Sequence, residues 1–207
     1  MVGLRALVVS ALMLVACARG DGPVHDSSTA SASASASAGS TAAATPGSTP
    51  AAAPSAARPL VALDGDGVML VAQPSGSTRT IAFGTSAETA LSAISASLGV
   101  ERSRGTNQEC GAGPLEFVTF DGLLVAVQQG KFVGWTTPPS DSTPLTTMSG
   151  VGIGSTRAAL DAAYAARVAR STLGVEFSAG GLQGILASNA DSARITDLWA
   201  GTNCVAR

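Results

Sequence analysis

The stretch LEFVTFDGLLVAVQQGKFVGWTTPP, residues 115–139, is the part of the sequence that decides the fold. It holds three short apolar segments in which Val, Phe and Leu dominate, a composition typical of strands. Asp121-Gly122 separates the first two segments and suits the two-residue turn of a hairpin. The stretch therefore predicts a short antiparallel sheet.

The segment before this sheet has the spacing of a helix. It reads FGTSAETALSAISASLG, residues 83–99, and Thr85 with Glu88 fits a capping box at the start of a helix. Gly99 is a suitable end for the helix. The apolar positions recur on one helical face: Ala87, Ala90, Leu91, Ile94 and Leu98. We therefore expect one helix followed by the sheet.

Upstream of the helix, PLVALDGDGVMLV at residues 59–71 and TRTIAF at residues 78–83 predict a β-hairpin. Its turn, Asp64-Gly65-Asp66-Gly67, contains the spaced carboxylates of a calcium-loop fragment. A full loop needs further oxygen ligands and a closing Glu, which are missing from the sequence that follows. The interpretation is a plain tight turn, and no metal site is expected.

The same order of segments occurs a second time. VGIGSTRAALDAAY, residues 151–164, begins with Ile153-Gly154-Ser155, which mirrors Phe83-Gly84-Thr85. A longer second helix is expected, with this apolar face: Leu160, Ala163, Tyr164 and Val168. Three strand-like segments follow: GVEFSAGG, LQGILAS and ARITDLWAG. The pattern predicts an α+β head with two tandem helix-plus-sheet units, about 80–137 and 150–207, and a coincidental match is the alternative.

A helix opened by a Gly-Ser/Thr turn and followed by a short antiparallel sheet, in tandem, resembles two protein families. They are the β-lactamase-inhibitor protein and the SmpA/OmlA outer-membrane assembly lipoproteins. The resemblance covers most of residues 81–204. It implies a binding or assembly head that presents aromatic and polar side chains on a sheet face to a partner. It places no binding residue of those families in this chain.

The first residues indicate export. Arg5 precedes an apolar run that is too short to span a bilayer and has the form of a secretory signal. Leu14-Val15-Ala16-Cys17 resembles the lipobox of bacterial lipoproteins, and the Ala/Ser/Gly/Arg-rich composition is similar to that of actinobacterial lipoproteins. The resemblance implies that residues 1–16 are removed and that Cys17 carries lipid. An ordinary signal peptide with a chance cysteine is the alternative.

Residues 17–58 are predicted to be a disordered tether, because Ala, Ser, Thr, Gly and Pro dominate and no apolar periodicity is present. The head is then expected at residues 59–207. The predicted location is the outer face of the cell membrane, or the periplasm if the cell has two membranes. A membrane partner is expected only through the lipid.

Two cysteines remain in the head, Cys110 and Cys204. An even pair in an exported chain predicts a disulfide, and its long loop would stabilise the fold by about 4–5 kcal/mol in the chain-entropy model. Two buried free thiols are the alternative. Neither cysteine has a second Cys or a His nearby in the sequence, so the spacing of a metal site is absent.

Composition excludes several classes of chemistry. The formal charge is −2 and no concentrated basic face is present, which argues against nucleic acid. The one histidine, His25, lies in the tether, so the head has no residue for a His-based triad or zinc site. No cofactor motif is present. A carboxylate pair remains the one route to an enzyme, with these candidates: Glu116, Asp121, Glu176 and Asp197.

Three further residues are candidates for a binding surface. Lys131, the one lysine, lies four residues before Trp135, and Trp199 falls near the end of the other half. A core role for both tryptophans is the alternative interpretation. The sequence therefore predicts a non-catalytic envelope module that binds a protein or a wall polymer. A hydrolase of cell-wall glycan and a purely structural spacer are the alternatives, and the oligomeric state is not predicted.

Overall fold

β-Strands are the dominant secondary structure of the described chain. The computed structural model describes residues 57–138, 140 and 144–204, and this part has eleven strands and two helices. Cys17, the predicted signal peptide and all but the last two residues of the predicted tether lie outside the described residues. Within the described part, neither helix has the length and apolar composition that a bilayer span requires.

A three-stranded antiparallel sheet comes first: β1 (Leu60–Asp64), β2 (Gly67–Val71) and β3 (Thr78–Ala82). The strands expected in both segments are confirmed, and β3 in TRTIAF makes them a three-stranded sheet where the sequence predicted a hairpin. Asp64 Oδ1 accepts a hydrogen bond of 3.0 Å from the Asp66 amide, which confirms the tight turn. A Cβ on Gly65 would lie 1.9 Å from the Gly180 carbonyl oxygen, so this turn packs backbone to backbone on another turn.

The first helix, α1 (Ala87–Leu98), ends at Gly99 as predicted. Its N-cap is Ser86, whose hydroxyl accepts from the Thr89 amide, so the cap expected at Thr85 was wrong by one residue. The carbonyl of Thr85 instead accepts from the Phe132 amide, which ties this residue to a strand. The neighbouring Ser86 is then left to start the helix.

Four strands follow α1: β4 (Ser103–Asn107), β5 (Leu115–Phe120), β6 (Leu123–Gln128) and β7 (Lys131–Thr136). They form a meander in which each strand pairs antiparallel with the next. Asp121-Gly122 is the two-residue turn between β5 and β6, as predicted. Strand β4 was not predicted, because its sequence SRGTN is polar throughout and all its residues are exposed.

The second helix, α2 (Arg157–Ala163), has seven residues and is shorter than expected. Thr156 caps it by accepting from the Ala159 amide, and Tyr164 is already extended with φ −141°. Four strands follow: β8 (Arg167–Ser171), β9 (Gly174–Ala179), β10 (Leu182–Leu186) and β11 (Ile195–Gly201). Val168, expected on the helix, lies in β8 because pairing with β9 outweighs the local helical preference.

The prediction of an α+β fold with two tandem helix-plus-sheet units was wrong. The eight strands β4–β11 form one continuous antiparallel sheet in the order β4-β5-β6-β7-β11-β10-β9-β8. The join is the pairing of β7 with β11, in which Trp135 faces Ala200 and Gly134 faces Gly201. The described part is therefore mostly β, with a three-stranded and an eight-stranded sheet and two short helices.

The core lies between one face of the large sheet, the small sheet and the helices. Trp135 is fully buried at its centre, and its indole N–H donates to the carbonyls of Asp64 (2.9 Å) and Gly67 (2.7 Å). These two bonds join β7 to the turn between β1 and β2. Buried side chains from both halves of the large sheet belong to the same cluster: Phe120, Phe132, Phe177, Leu182 and Leu198.

Candidate functional site

The large sheet has one face that is not packed against the core. Side chains alternate between the two faces of a strand. Trp135, Phe120 and Leu198 point into the core, so their neighbours in sequence point to the opposite side. We call this second side the outer face.

One row of residues crosses the whole outer face. Each member is the register partner of the next, with one residue from each strand: Ser103, Thr119, Leu124, Thr136, Trp199, Gln183, Ser178 and Arg167. Adjacent strands lie about 4.8 Å apart, so this outer row is about 34 Å long. Hydroxyl and amide groups dominate it, and Arg167 stands at one end.

Three residues after β11 lie over the outer face, and we call Thr202–Cys204 the strap. The chain turns into it at Gly201, whose φ is 70°, a conformation that favours glycine. The Thr202 amide donates to the Val133 carbonyl at 2.8 Å. A Cβ on Gly134 would lie 2.1 Å from the Thr202 carbonyl oxygen, so the strap crosses the sheet directly above this glycine.

Asn203 fastens the strap to the middle of the outer row. Its Oδ1 accepts from the Thr136 hydroxyl at 3.0 Å. Its Nδ2 donates to the carbonyls of Ala200 at 2.8 Å and Trp135 at 3.2 Å. Three hydrogen bonds thus hold one side chain across β7 and β11, where the two halves of the sheet meet.

The strap brings the two cysteines of the head together. The Asn107 side-chain amide donates to Cys204 Sγ at 3.4 Å, which places this sulfur at the start of the β4–β5 connection that contains Cys110. A hydrogen bond with the Cys110 thiol is the main cause that raises the pKa of Cys204, and the Gly111 amide opposes it. The structure holds both cysteines as thiols, so the disulfide stays a prediction.

The strap lies on the same face as a small apolar group that is separate from the core. Leu115, Ala126 and Trp199 project from the outer face and are at most 5% exposed, yet they do not belong to the main core cluster. Cys110 is also buried and outside that cluster. The outer face therefore has a covered part, over β5–β7 and β11.

The remaining part, over β8–β10, is open. A shallow depression of about 320 Å³ is lined by Arg167, Ser178 and Gln183 of the outer row together with the Gly180-Gly181 turn. A second depression of about 230 Å³ continues along β8 and β9 and includes Glu176, which accepts from the Ser171 hydroxyl. This open part offers a positive and a negative side chain among hydroxyl and amide groups.

The binding-surface candidates from sequence lie in different settings. Lys131 is exposed at the start of β7, where its backbone bridges to Ser86 at the start of α1. Trp135 is fully buried and offers no surface. Trp199 belongs to the outer row but is only 5% exposed.

The four candidate carboxylates do not gather in one cleft. Glu116 accepts from Arg104 at 2.5 Å, and Asp121 lies 3.0 Å from Arg102. Glu176 and Asp197 are both register partners of Ile185, so they share the outer face with about 10 Å between their backbones. Ile185 stands between them, and Asp197 is not among the residues that line the depression at Glu176.

Within the described residues, no group of three or more His, Cys, Asp or Glu side chains is placed to hold a metal ion. Comparison of the chain with protein-family models, with curated proteins and with solved structures gives no match. The resemblance to the two families therefore stays a prediction.

Sequence reasoning missed the strap and most of the outer row. Asn203, Asn107 and Gly134 carry no motif, because their roles depend on contacts between distant strands. The one local signal was the pair of glycines at 134 and 201, since a glycine inside a strand often marks a close backbone approach.

Proposed function

We propose that this chain is an exported lipoprotein, anchored through Cys17, whose head binds a protein of the cell envelope with the outer face of its large sheet. The observation that carries the proposal is the outer row, which crosses all eight strands on the face opposite the core. The part of this row over β8–β10 is open and presents hydroxyl, amide and guanidinium groups, which suits it to recognition. The proposed role is non-catalytic.

A protein partner fits the open part better than a wall glycan. Arg167 and Glu176 carry opposite charges, and the partly buried Ile185 lies beside them on the same face. Mixed charges around an apolar residue are typical of interfaces between separate proteins. The one aromatic ring of the outer row, Trp199, is too buried to stack on a sugar.

The test places a photoreactive amino acid at Ser178 in the full-length chain in cells that carry it. Ser178 is exposed in the open part of the outer row, so we expect one crosslinked protein band. Leu60, a residue of the small sheet that is 58% exposed, is the matched control position and should give no such band. Arg167→Glu in the same background should reduce the band at Ser178.

Two results would contradict the proposal. Equal crosslinking from Leu60 and Ser178 would mean that the outer face is not the contact. Retention of the purified protein on protease-treated cell wall, with no protein crosslink, would identify a glycan as the partner. Palmitate labelling that Cys17→Ala leaves unchanged would separately overturn the anchor, whatever the crosslinks show.

A further inference from the structure

The two thiols of the head belong to segments that are far apart in sequence. Cys110 lies between β4 and β5, and Cys204 is the last residue of the strap. Asn107 joins the segments, because its Nδ2 donates to Cys204 Sγ while its Oδ1 accepts from the Glu109 amide at 2.9 Å. The loop is thus shaped so that the strap sulfur is held beside it.

The surroundings of the two sulfurs differ. Cys110 is only 6% exposed, whereas Cys204 is exposed to solvent. Thiol–disulfide exchange requires access to the attacking sulfur. An external disulfide can therefore reach Cys204 first, and Cys110 lies behind it as a resolving thiol.

We propose that Cys110 and Cys204 form a redox site that fastens the strap across the outer face. This inference goes beyond the proposed binding function and does not depend on it. The Cys204 thiolate attacks one sulfur of an external disulfide, such as an oxidised dithiol protein or glutathione disulfide. A mixed disulfide forms, and one thiol of the donor leaves.

The Cys110 thiolate then attacks Cys204 Sγ and displaces the second thiol of the donor. Two electrons and two protons pass from the cysteine pair to the donor, so the protein gains one disulfide and the donor becomes two thiols. The bond adds a covalent link to the hydrogen bonds that already hold Thr202 and Asn203. Reduction leaves the strap held by those hydrogen bonds alone.

The experiment uses full-length protein carrying Cys17→Ala, so that only the two head thiols remain. The protein is equilibrated with glutathione buffers of increasing oxidised fraction, alkylated, and weighed intact. We expect both thiols to disappear together, with a Cys110–Cys204 crosslink in the peptide map. Two alkylated thiols at every buffer ratio would overturn the proposal.

The order of attack has its own test, which starts with the reduced protein that carries both thiols. A small amount of iodoacetamide added to the reduced protein should label Cys204 at least about tenfold faster than Cys110, because only Cys204 is exposed. In addition, Cys110→Ser should trap glutathione on Cys204. Equal labelling of both cysteines, or faster labelling of Cys110, would refute the assigned order.

Fastening of the strap is measured by hydrogen exchange. The Thr202 amide donates to the Val133 carbonyl, and we expect its exchange to be about tenfold slower in the oxidised protein than in the reduced protein. Amides of α1, which has no contact with the strap in the hydrogen-bond pattern, serve as the internal control. Equal exchange at Thr202 in both forms would show that the bond does not fasten the strap.

Discussion

Gly134→Ala is the substitution that tests the strap most directly. The added Cβ would lie 2.1 Å from the carbonyl oxygen, 2.8 Å from the carbonyl carbon and 2.9 Å from the nitrogen of Thr202. All three are backbone atoms, so no side-chain rotation can relieve the contact. Either the strap stays and the sheet is overpacked, or the strap leaves the outer face.

The two outcomes bound the size of the effect. Overpacking a tight contact costs about 1–3 kcal/mol. Release of the strap loses about four hydrogen bonds, each worth about 1 kcal/mol net, but restores backbone freedom worth about 1–2 kcal/mol for each released residue. Because the release terms nearly cancel, release of the strap limits the loss, and we expect the free energy of unfolding to fall by about 1 kcal/mol rather than by the full cost of overpacking.

Gly105→Ala is the matched control. Gly105 lies in β4 on the same outer face, its φ is in the ordinary range, and a Cβ there would meet no atom within 4 Å. Replacing such a glycine by alanine reduces the freedom of the unfolded chain and should stabilise by up to about 1 kcal/mol. Both variants are made in the full-length protein carrying Cys17→Ala.

Urea unfolding followed by tryptophan fluorescence gives the two free energies. Hydrogen exchange at Thr202 then separates the two outcomes, since exchange accelerates only if the strap leaves. Release should also slow disulfide formation between Cys110 and Cys204. If Gly134→Ala is as stable as Gly105→Ala, the strap does not cross the sheet at this glycine.

Three further predictions concern single side chains. Trp135→Phe removes the indole N–H that donates to the carbonyls of Asp64 and Gly67, so it should lower the free energy of unfolding, measured in urea, by about 2–3 kcal/mol. A loss no larger than that of Trp199→Phe would count against these bonds. In the reduced protein, the pKa of Cys204 is raised by the hydrogen bond with Cys110, so alkylation of Cys204 should be slower at neutral pH than that of free cysteine and should rise at alkaline pH. Cys110→Ala should move the pH dependence of Cys204 alkylation to lower pH, while Asn107 and the Gly111 amide still face the Cys204 sulfur. A pH dependence that does not move would exclude the hydrogen bond between the two thiols. The Arg104 guanidinium lowers the pKa of Glu101, so the stability that this pair contributes is present above the ordinary pKa of glutamate and is lost as pH falls through the lowered value. In urea unfolding, Arg104→Gln should therefore have a slightly smaller free energy of unfolding than the parent protein at neutral pH and the same free energy in acid. A difference that does not change with pH would contradict this.

Features governed by neighbouring residues were predictable from the sequence. Asp121-Gly122 forms the hairpin turn, and Gly99 ends α1, because both depend on backbone conformations that few other residues adopt. The N-cap of α1 was placed one residue too early. Thr85 and Ser86 are both able to cap a helix, and the choice is made by β7, whose Phe132 amide bonds the Thr85 carbonyl.

The edge strands and the second helix could not be read from local pattern. SRGTN in β4 and RVARS in β8 lack the apolar alternation of a half-buried strand, since each lies at an edge of the large sheet and is mostly solvated. Alanines around residue 163 favour a helix, yet Tyr164 is extended and the chain pairs with β9 soon after. Pairing along a whole strand outweighs a weak local propensity.

The pairing of β7 with β11 explains why the candidate site could not be predicted from the sequence. A repeat read from sequence suggests two separate sheets, each with its own faces. Pairing of β7 with β11 instead makes one sheet, and only then do Thr136 and Trp199 become neighbours in a single row. The same join sets Gly134 beside Gly201, which leaves room for Thr202 to cross above the sheet and for Cys204 to reach the loop of Cys110. One pairing of about three residues therefore creates both the outer row and the redox site, so a change that separates β7 from β11 should abolish the two together.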